Sequence, residues 1–280
     1  MSNYYCIVAG LPDVAFDGSK PAYSVERFKE EIYSALSARD ARCVDIFFLS
    51  RDNANILNIL RNGENAAIDS LGRYTREELE EIISSSLNGD IRNKNVPSYI
   101  YRFFDYYVAN QTKENIIWED VLASYYYEYA SKCPNKFVAA WYEYNLNVNN
   151  VLVAVSARKY KYSVADAVVG EGEIAEALRT SGACDFGLSG TLEYLEELLR
   201  LCENGKLQER ERKLDEMRWN WLDDNSVFNY FSVERLIVFL QKVEILERWS
   251  GLDADNGLKR YKEMIADLKS GMDSLSVEVK

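Results

Sequence analysis

Apolar residues recur at three- and four-residue spacing along most of this chain, and this period constrains the fold more than any other feature. After Ser24, for example, the pattern runs through Val25, Phe28 and Ile32. Such spacing places the apolar side chains on one face of an α-helix. The 280 residues include only 4 prolines and 14 glycines, so few breaks interrupt the pattern. The sequence therefore predicts an all-α protein.

Polar residues mark several of the expected helix starts. Ser24 precedes the first pattern, and Thr75 with Glu78 forms a capping box ahead of Leu79, an arrangement that satisfies the first backbone N–H groups of a helix. Residues 4–9 form a short apolar run. Periodicity does not distinguish a buried strand from a helical turn there, so both alternatives stay open.

The composition excludes several functional classes. The chain has no histidine, which removes Ser-His and Cys-His nucleophile pairs and histidine-based zinc sites. Its net charge is −12, whereas nucleic-acid binding requires a basic surface, so we expect no nucleic-acid partner. No signal peptide and no long apolar span are recognisable. Five scattered cysteines are therefore expected to be reduced, mostly buried thiols of a cytosolic protein.

One pattern of residues occurs three times. Each copy has aromatic residues, then a short polar residue, then a second polar position before an aliphatic pair. The polar positions are Asp52 and Asn55, Asn147 and Asn150, and Ser232 and Arg235. We interpret the first residue of each pair as the cap of a new helix that buries its aliphatic face. The chain is accordingly predicted to be a single helical domain over residues 1–280, with pseudo-repeats at about 1–95, 96–180 and 181–280.

These repeated positions resemble the family of the C (or d) subunit of A/V-type rotary ATPases. The segments from Asp52, from Asn147 and from Ser232 match that family's repeated pattern in order, although the family prefers Asp and Asn where this chain has Ser232 and Arg235. The start, Tyr4 to Pro12, is similar to a bacterial family of uncharacterised proteins encoded in Bacteroidetes beside A/V-type ATPase genes.

The resemblance implies a funnel of three similar helical bundles with no catalytic residues, no cofactor and no metal. It implies a coupling subunit that links the central stalk to the membrane rotor ring during ion transport or ATP synthesis. Such a protein would be cytoplasmic, peripheral to the inner membrane through protein contacts, and monomeric in isolation. The six repeat positions would then have structural roles.

Two loop motifs have weak chemical signatures. Gly170 to Ala175 fits the GxGxxA pattern of dinucleotide sites, but its two glutamates would repel a pyrophosphate. Asp253 to Gly257 resembles the start of a calcium loop, but the glycine comes one residue early and Met264 occupies the place of the bidentate glutamate. We interpret both as loops between helices.

Carboxylates and tyrosines leave other functions open. Glutamates cluster at 77–81 and 193–197, and tyrosines at 99–107 and 125–129. We interpret the glutamates as solvated helix faces and the tyrosines as helix-packing residues. Two alternatives to the coupling subunit remain: a free-standing helical adaptor unrelated to the ATPase, and an enzyme that uses carboxylates or tyrosines in a helical cleft.

Overall fold

The computed structural model describes residues 4–16, 22–113, 116–203 and 206–251. Over these ranges it contains twelve α-helices and no β-strand, which confirms the predicted all-α class. In chain order the helices are α1 (Tyr5–Ala9), α2 (Val25–Glu31), α3 (Ala38–Asn62), α4 (Arg76–Asn88), α5 (Ser98–Asn110), α6 (Trp118–Ser131), α7 (Lys136–Tyr160), α8 (Val164–Ala167), α9 (Glu173–Thr180), α10 (Leu195–Glu203), α11 (Leu207–Ser226) and α12 (Val233–Gly251).

The predicted helix starts are confirmed where the sequence signal was local. The Ser24 hydroxyl caps α2 by accepting from Arg27 N. Thr75 and Glu78 form the capping box of α4, with both reciprocal hydrogen bonds present. Residues 5–9 adopt the helical alternative as α1. The calcium-like loop at 253–257 lies outside the described residues.

The chain forms two compact units. Unit 1 combines the residues up to Ala35 with those from Asp215 onward, and unit 2 comprises Leu36–Leu214. Among the described residues, no helix is both long enough and apolar enough to cross a bilayer.

Buried tyrosines hold the helices of unit 2 together. The Tyr126 hydroxyl donates to the Ile46 carbonyl at 2.8 Å and lies 2.7 Å from the Tyr142 hydroxyl, which links α6 to α3 and α7. Tyr99 of α5 is fully buried and donates to Asn53 Oδ1 at 2.7 Å. Each ring buries apolar area while its hydroxyl finds a partner. This confirms a packing role for these tyrosines.

Unit 1 is organised around α12, which is buried on most of its circumference. The buried carboxylate of Asp215 accepts hydrogen bonds from Arg218, Arg248 and Trp249 Nε1. The α2 end of the same unit is fixed by Val25 N, which donates to a Glu247 carboxylate oxygen at 3.1 Å. These polar contacts satisfy groups that burial would otherwise leave unpaired.

Candidate functional site

The first repeat places Asn55 in the buried interior of α3, where its side chain binds a distant backbone residue. Asn55 Nδ2 donates to the Asp69 carbonyl at 3.0 Å, and Asn55 Oδ1 accepts from Asp69 N at 2.9 Å. One amide therefore satisfies both polar groups of one backbone residue, 14 positions along the chain. We call this arrangement a clasp, because it ties the segment before α4 to the long helix.

The second repeat forms the same clasp. Asn150 Nδ2 donates to the Val169 carbonyl at 2.8 Å, and Asn150 Oδ1 accepts from Val169 N at 2.9 Å. In both repeats an arginine of the following helix binds the clasped segment as well. Arg76 donates to the Ala66 carbonyl, and Arg179 donates to the Val168 and Gly170 carbonyls. The structure therefore makes Asn55 and Asn150 equivalent.

Asp52 and Asn147 also lie in helix interiors, so the prediction that they cap new helices is wrong. Asp52 is completely buried in α3 and accepts from Arg73 N at 2.9 Å and Tyr74 N at 3.3 Å. Asn147 is half-buried in α7, beside Tyr194. Burial raises the pKa of Tyr194 to about 12, and the Asn147 side chain partly offsets that effect.

The third pair does not form a clasp. Ser232 precedes α12, as predicted, but its hydroxyl has no hydrogen-bond partner among the described residues. Arg235 is exposed on α12, and its backbone N–H donates to the Ser232 carbonyl at 3.2 Å. This segment belongs to unit 1, whereas both clasps belong to unit 2.

The other sequence motifs remain unconnected to a site. The Gly170–Ala175 loop follows the short helix α8 rather than a strand and leads into α9, as expected for a loop between helices. The glutamates of the 77–81 and 193–197 clusters are solvent-exposed. In the part of the chain that the structure describes, no group of three or more acidic or cysteine side chains is placed to hold a metal ion.

A basic cleft in unit 2 was not predicted. It consists of two adjoining cavities of about 500 and 630 Å³ that share Arg42, Ser98, Arg102 and Tyr129. Its acidic lining residues are Asp45 and Glu128. Its basic lining residues are Arg39, Arg42, Arg73, Arg92, Lys94, Arg102 and Lys132. The excess of cations contrasts with the net charge of the chain.

Several of these cations keep their charge available to a ligand. Glu128 neutralises part of the cleft, because its carboxylate binds Lys132 at 2.7 Å and Arg102 at 2.9 Å. The Lys132 hydrogen bond is the main reason that the pKa of Glu128 lies below its usual value. Among the described residues, Arg39, Arg42 and Lys94 form no ion pair. A concave surface with this balance attracts anions.

Two cysteines meet in the wall of the 500 Å³ cavity. Cys43 of α3 lies with its Sγ 3.9 Å from Cys133 Sγ, which belongs to the link between α6 and α7. The hydrogen bond between the two thiols lowers the pKa of Cys133 to about 7 and raises the pKa of Cys43. The prediction of mostly buried thiols is wrong. All five cysteines lie in the described ranges, where Cys43 alone is buried while Cys6 and Cys184 are exposed.

The fold and the site define an all-helical protein with a twice-formed asparagine clasp and a basic cleft that contains a thiol pair. A family model described as protein of unknown function (DUF2764) matches residues 1–272, and the chain belongs to that family. No curated protein and no solved structure matches the chain.

Proposed function

We propose that this protein is a non-catalytic coupling subunit of an A/V-type rotary ATPase, which links the central stalk to the membrane rotor ring. The observation that supports this function best is the equivalence of the Asn55 and Asn150 clasps. The resemblance to the ATPase family depends on an internal repeat at these positions. Two of the three expected copies share the same hydrogen bonds.

The clasped modules suit a part that transmits force. Each contains a 25-residue helix, α3 or α7, which spans about 37 Å at 1.5 Å per residue. The clasp fixes the segment that follows each long helix, and the arginine of the next helix binds the same segment. A connector between moving parts needs this resistance to bending more than it needs reactive groups.

A coupling subunit also needs surfaces for its partners. Two neighbouring segments of unit 1 expose an aromatic cluster, which consists of Phe228, Tyr230 and Phe231 from the link between α11 and α12 and Tyr5 from α1. Phe228 is 94% exposed, and the Tyr5 and Phe231 rings lie 4.6 Å apart. Exposed aromatic groups of this kind are typical of protein interfaces. We expect this cluster to contact another protein of the ATPase.

The test is purification of the tagged protein from its native membranes, where we expect it to recover stalk and ring proteins of the ATPase. Deleting the protein should leave ATP hydrolysis by the soluble motor but reduce ATP-driven ion transport. The Phe228→Ser variant should recover less ATPase, whereas Tyr162→Ser, at a 71% exposed tyrosine of unit 2, should not. Recovery of an intact, coupled ATPase without this protein would refute the proposal.

One observation favours the alternative, a helical adaptor unrelated to the ATPase. The third segment lacks the clasp, since the Ser232 hydroxyl has no hydrogen-bond partner among the described residues and Arg235 is exposed. A threefold repeat would require a third equivalent arrangement. The same purification separates the two functions, because an adaptor would recover other proteins and no part of the ATPase.

A further inference from the structure

We propose that Cys43 and Cys133 form a redox-active dithiol, and that the basic cleft directs anionic low-molecular-weight disulfides to it. This activity goes beyond the coupling function and does not depend on it. Two independent observations support it, namely the contact between the thiols and the cationic lining of the cavity that both thiols share.

The geometry permits an internal disulfide after a small movement. The sulfur atoms lie 3.9 Å apart, and a disulfide requires about 2.05 Å. Cys43 is held in α3, where its thiol also faces the Arg39 carbonyl at 3.6 Å. Cys133 lies in the short link that ends at the α7 cap, Asn135. A link is easier to displace than a packed helix, so Cys133 is the residue expected to move.

The surroundings of the thiols favour a reactive Cys133. The contact between the two sulfurs lowers the pKa of Cys133, and a lower pKa favours the thiolate, which is the nucleophilic form. Charged and titratable groups surround the pair. They are Arg39, Asp40 and Arg42 from α3, Arg102 from α5, Glu128 and Tyr129 from α6, and Lys132 from the link after α6. The positive charges outnumber the carboxylates, so the environment attracts both the thiolate and an anionic reagent.

The cavity has room for such a reagent. Its volume of about 500 Å³ lies within the range of small-molecule sites. Arg39 and Arg42 stand one helical turn apart on α3, beside Cys43. A disulfide that carries carboxylates would bind these guanidinium groups while its sulfur atoms approach Cys133.

The reaction balances as two successive exchanges. The Cys133 thiolate attacks the reagent disulfide, forms a mixed disulfide and releases one reagent thiolate. Cys43 then loses its proton and attacks Cys133 Sγ, which forms the Cys43–Cys133 bond and releases the second thiol. In sum the two protein thiols are oxidised by two electrons, and the disulfide is reduced to two thiols.

The test uses the full chain with Cys6→Ser, Cys184→Ser and Cys202→Ser, so that only the pair remains. We expect oxidised glutathione to produce a disulfide-linked peptide pair containing Cys43 and Cys133, detected by mass spectrometry after alkylation. The rate plotted against pH should have its midpoint at about 7, the pKa of Cys133, rather than near the usual thiol value of 9.0.

Charge selection is tested with a second reagent. We expect oxidised glutathione to outpace the cationic disulfide cystamine by about tenfold or more, after both rates are normalised to the exposed Cys184 in a variant that retains only that cysteine. Arg39→Gln with Arg42→Gln should remove this preference. Equal normalised rates for the two reagents would contradict the role of the cleft.

Single replacements test the order of the steps. Cys43→Ser should trap the mixed disulfide on Cys133, whereas Cys133→Ser should leave Cys43 almost unreactive. The unreplaced pair provides a result that does not depend on how these variants fold. If it yields only mixed disulfides, or reacts no faster than Cys184, the two sulfurs form only a structural contact and the proposal is wrong.

Discussion

At the scale of single residues, asparagine suits the two clasps because its amide donates and accepts at once. Asn55 and Asn150 are both 3% exposed, so each satisfies a backbone N–H and C=O that water does not reach. An aspartate at the same position would lose the donor to the carbonyl, and an aliphatic residue would satisfy neither group. The same chemistry explains why both repeats have this residue type here.

Replacing a clasp residue should therefore cost substantial stability. We expect Asn55→Ala and Asn150→Ala each to lower the free energy of unfolding by about 2–4 kcal/mol, because two hydrogen bonds are lost and two buried groups become unpaired. Urea unfolding followed by circular dichroism measures this. Asn88→Ala, at an exposed residue near the end of α4, is the matched control and should change stability by less than about 0.5 kcal/mol. Equal effects at all three positions would contradict the clasp.

The backbone at Gly72 lies so close to Asp52 that there is no space for a side chain. A Cβ atom built on Gly72 would lie 2.2 Å from Asp52 Oδ1 and 3.3 Å from Asn55 Nδ2. The backbone must approach this closely because Arg73 N and Tyr74 N donate to the Asp52 carboxylate.

We expect Gly72→Ala to destabilise the protein by about 1–3 kcal/mol, since the added atom displaces Asp52 from its donors. Gly182→Ala is the control, because a Cβ there meets no atom within 4 Å and the backbone has no positive φ. Thermal unfolding of the two variants compares them directly. If Gly72→Ala is as stable as Gly182→Ala, the close approach of Gly72 to Asp52 does not contribute to stability.

The sequence predicted the clasp asparagines as repeat positions, but not the residues of the basic cleft. The cleft cations lie between Arg39 and Lys132 and are brought together by α3, α5 and the links before α4, before α5 and after α6. Cys43 and Cys133 are 90 positions apart. A short-range sequence pattern cannot relate residues so far apart along the chain. The negative net charge of the whole chain also gives no indication of a local excess of cations. Only the tertiary packing of unit 2 reveals the site.

At the scale of helices, the sequence predicts a helix cap correctly where the polar side chain bonds a nearby residue, and wrongly where its partner is distant along the chain. Ser24 and Thr75 cap helices because their hydroxyls bind N–H groups only three residues away. Asp52 and Asn147 were misassigned because short polar residues favour caps in general. In α3 the Asp52 carboxylate instead accepts hydrogen bonds from the backbone N–H groups of Arg73 and Tyr74. The sequence around Asp52 does not identify these distant partners.

The capping box of α4 provides a prediction at this scale. Thr75 Oγ1 accepts from Glu78 N, and a Glu78 carboxylate oxygen accepts from Thr75 N at 2.8 Å. We expect Thr75→Ala to lower the free energy of unfolding by about 1 kcal/mol and to speed amide hydrogen exchange in the first turn of α4. Thr75→Ser keeps the hydroxyl and should restore both values. If Thr75→Ala loses stability but amide exchange in the first turn of α4 is no faster, the loss does not come from the capping box.

At the scale of the whole molecule, the absence of histidine simplifies the response to pH. Hydrogen bonds from Lys132 and Arg61 lower the pKa values of Glu128 and Glu119, respectively. A lowered carboxyl pKa contributes stability above the unfolded value of about 4.5 and loses it as the pH falls. Burial raises the pKa values of Tyr74 and Tyr194 to about 12. Their contribution is complete below about 10 and is lost as the pH rises through about 12.

Cys133 is the described side chain whose shifted pKa lies in the neutral range. Its folded value of about 7 is below the usual value of 9.0, so its contribution is present above about 9 and is lost as the pH falls toward 7. We expect the stability of the reduced protein to rise between about pH 7 and 9, and that of Cys133→Ser to stay level there. Both proteins should lose stability below about pH 4.5 and above about pH 9, because the pKa values of Cys43 and of the buried tyrosines are raised by folding. Urea unfolding at a series of pH values measures the free energy of unfolding across these ranges, and tyrosinate absorbance follows the tyrosines alongside. If the free energy of unfolding of Cys133→Ser also rises between about pH 7 and 9, another group is responsible for the titration.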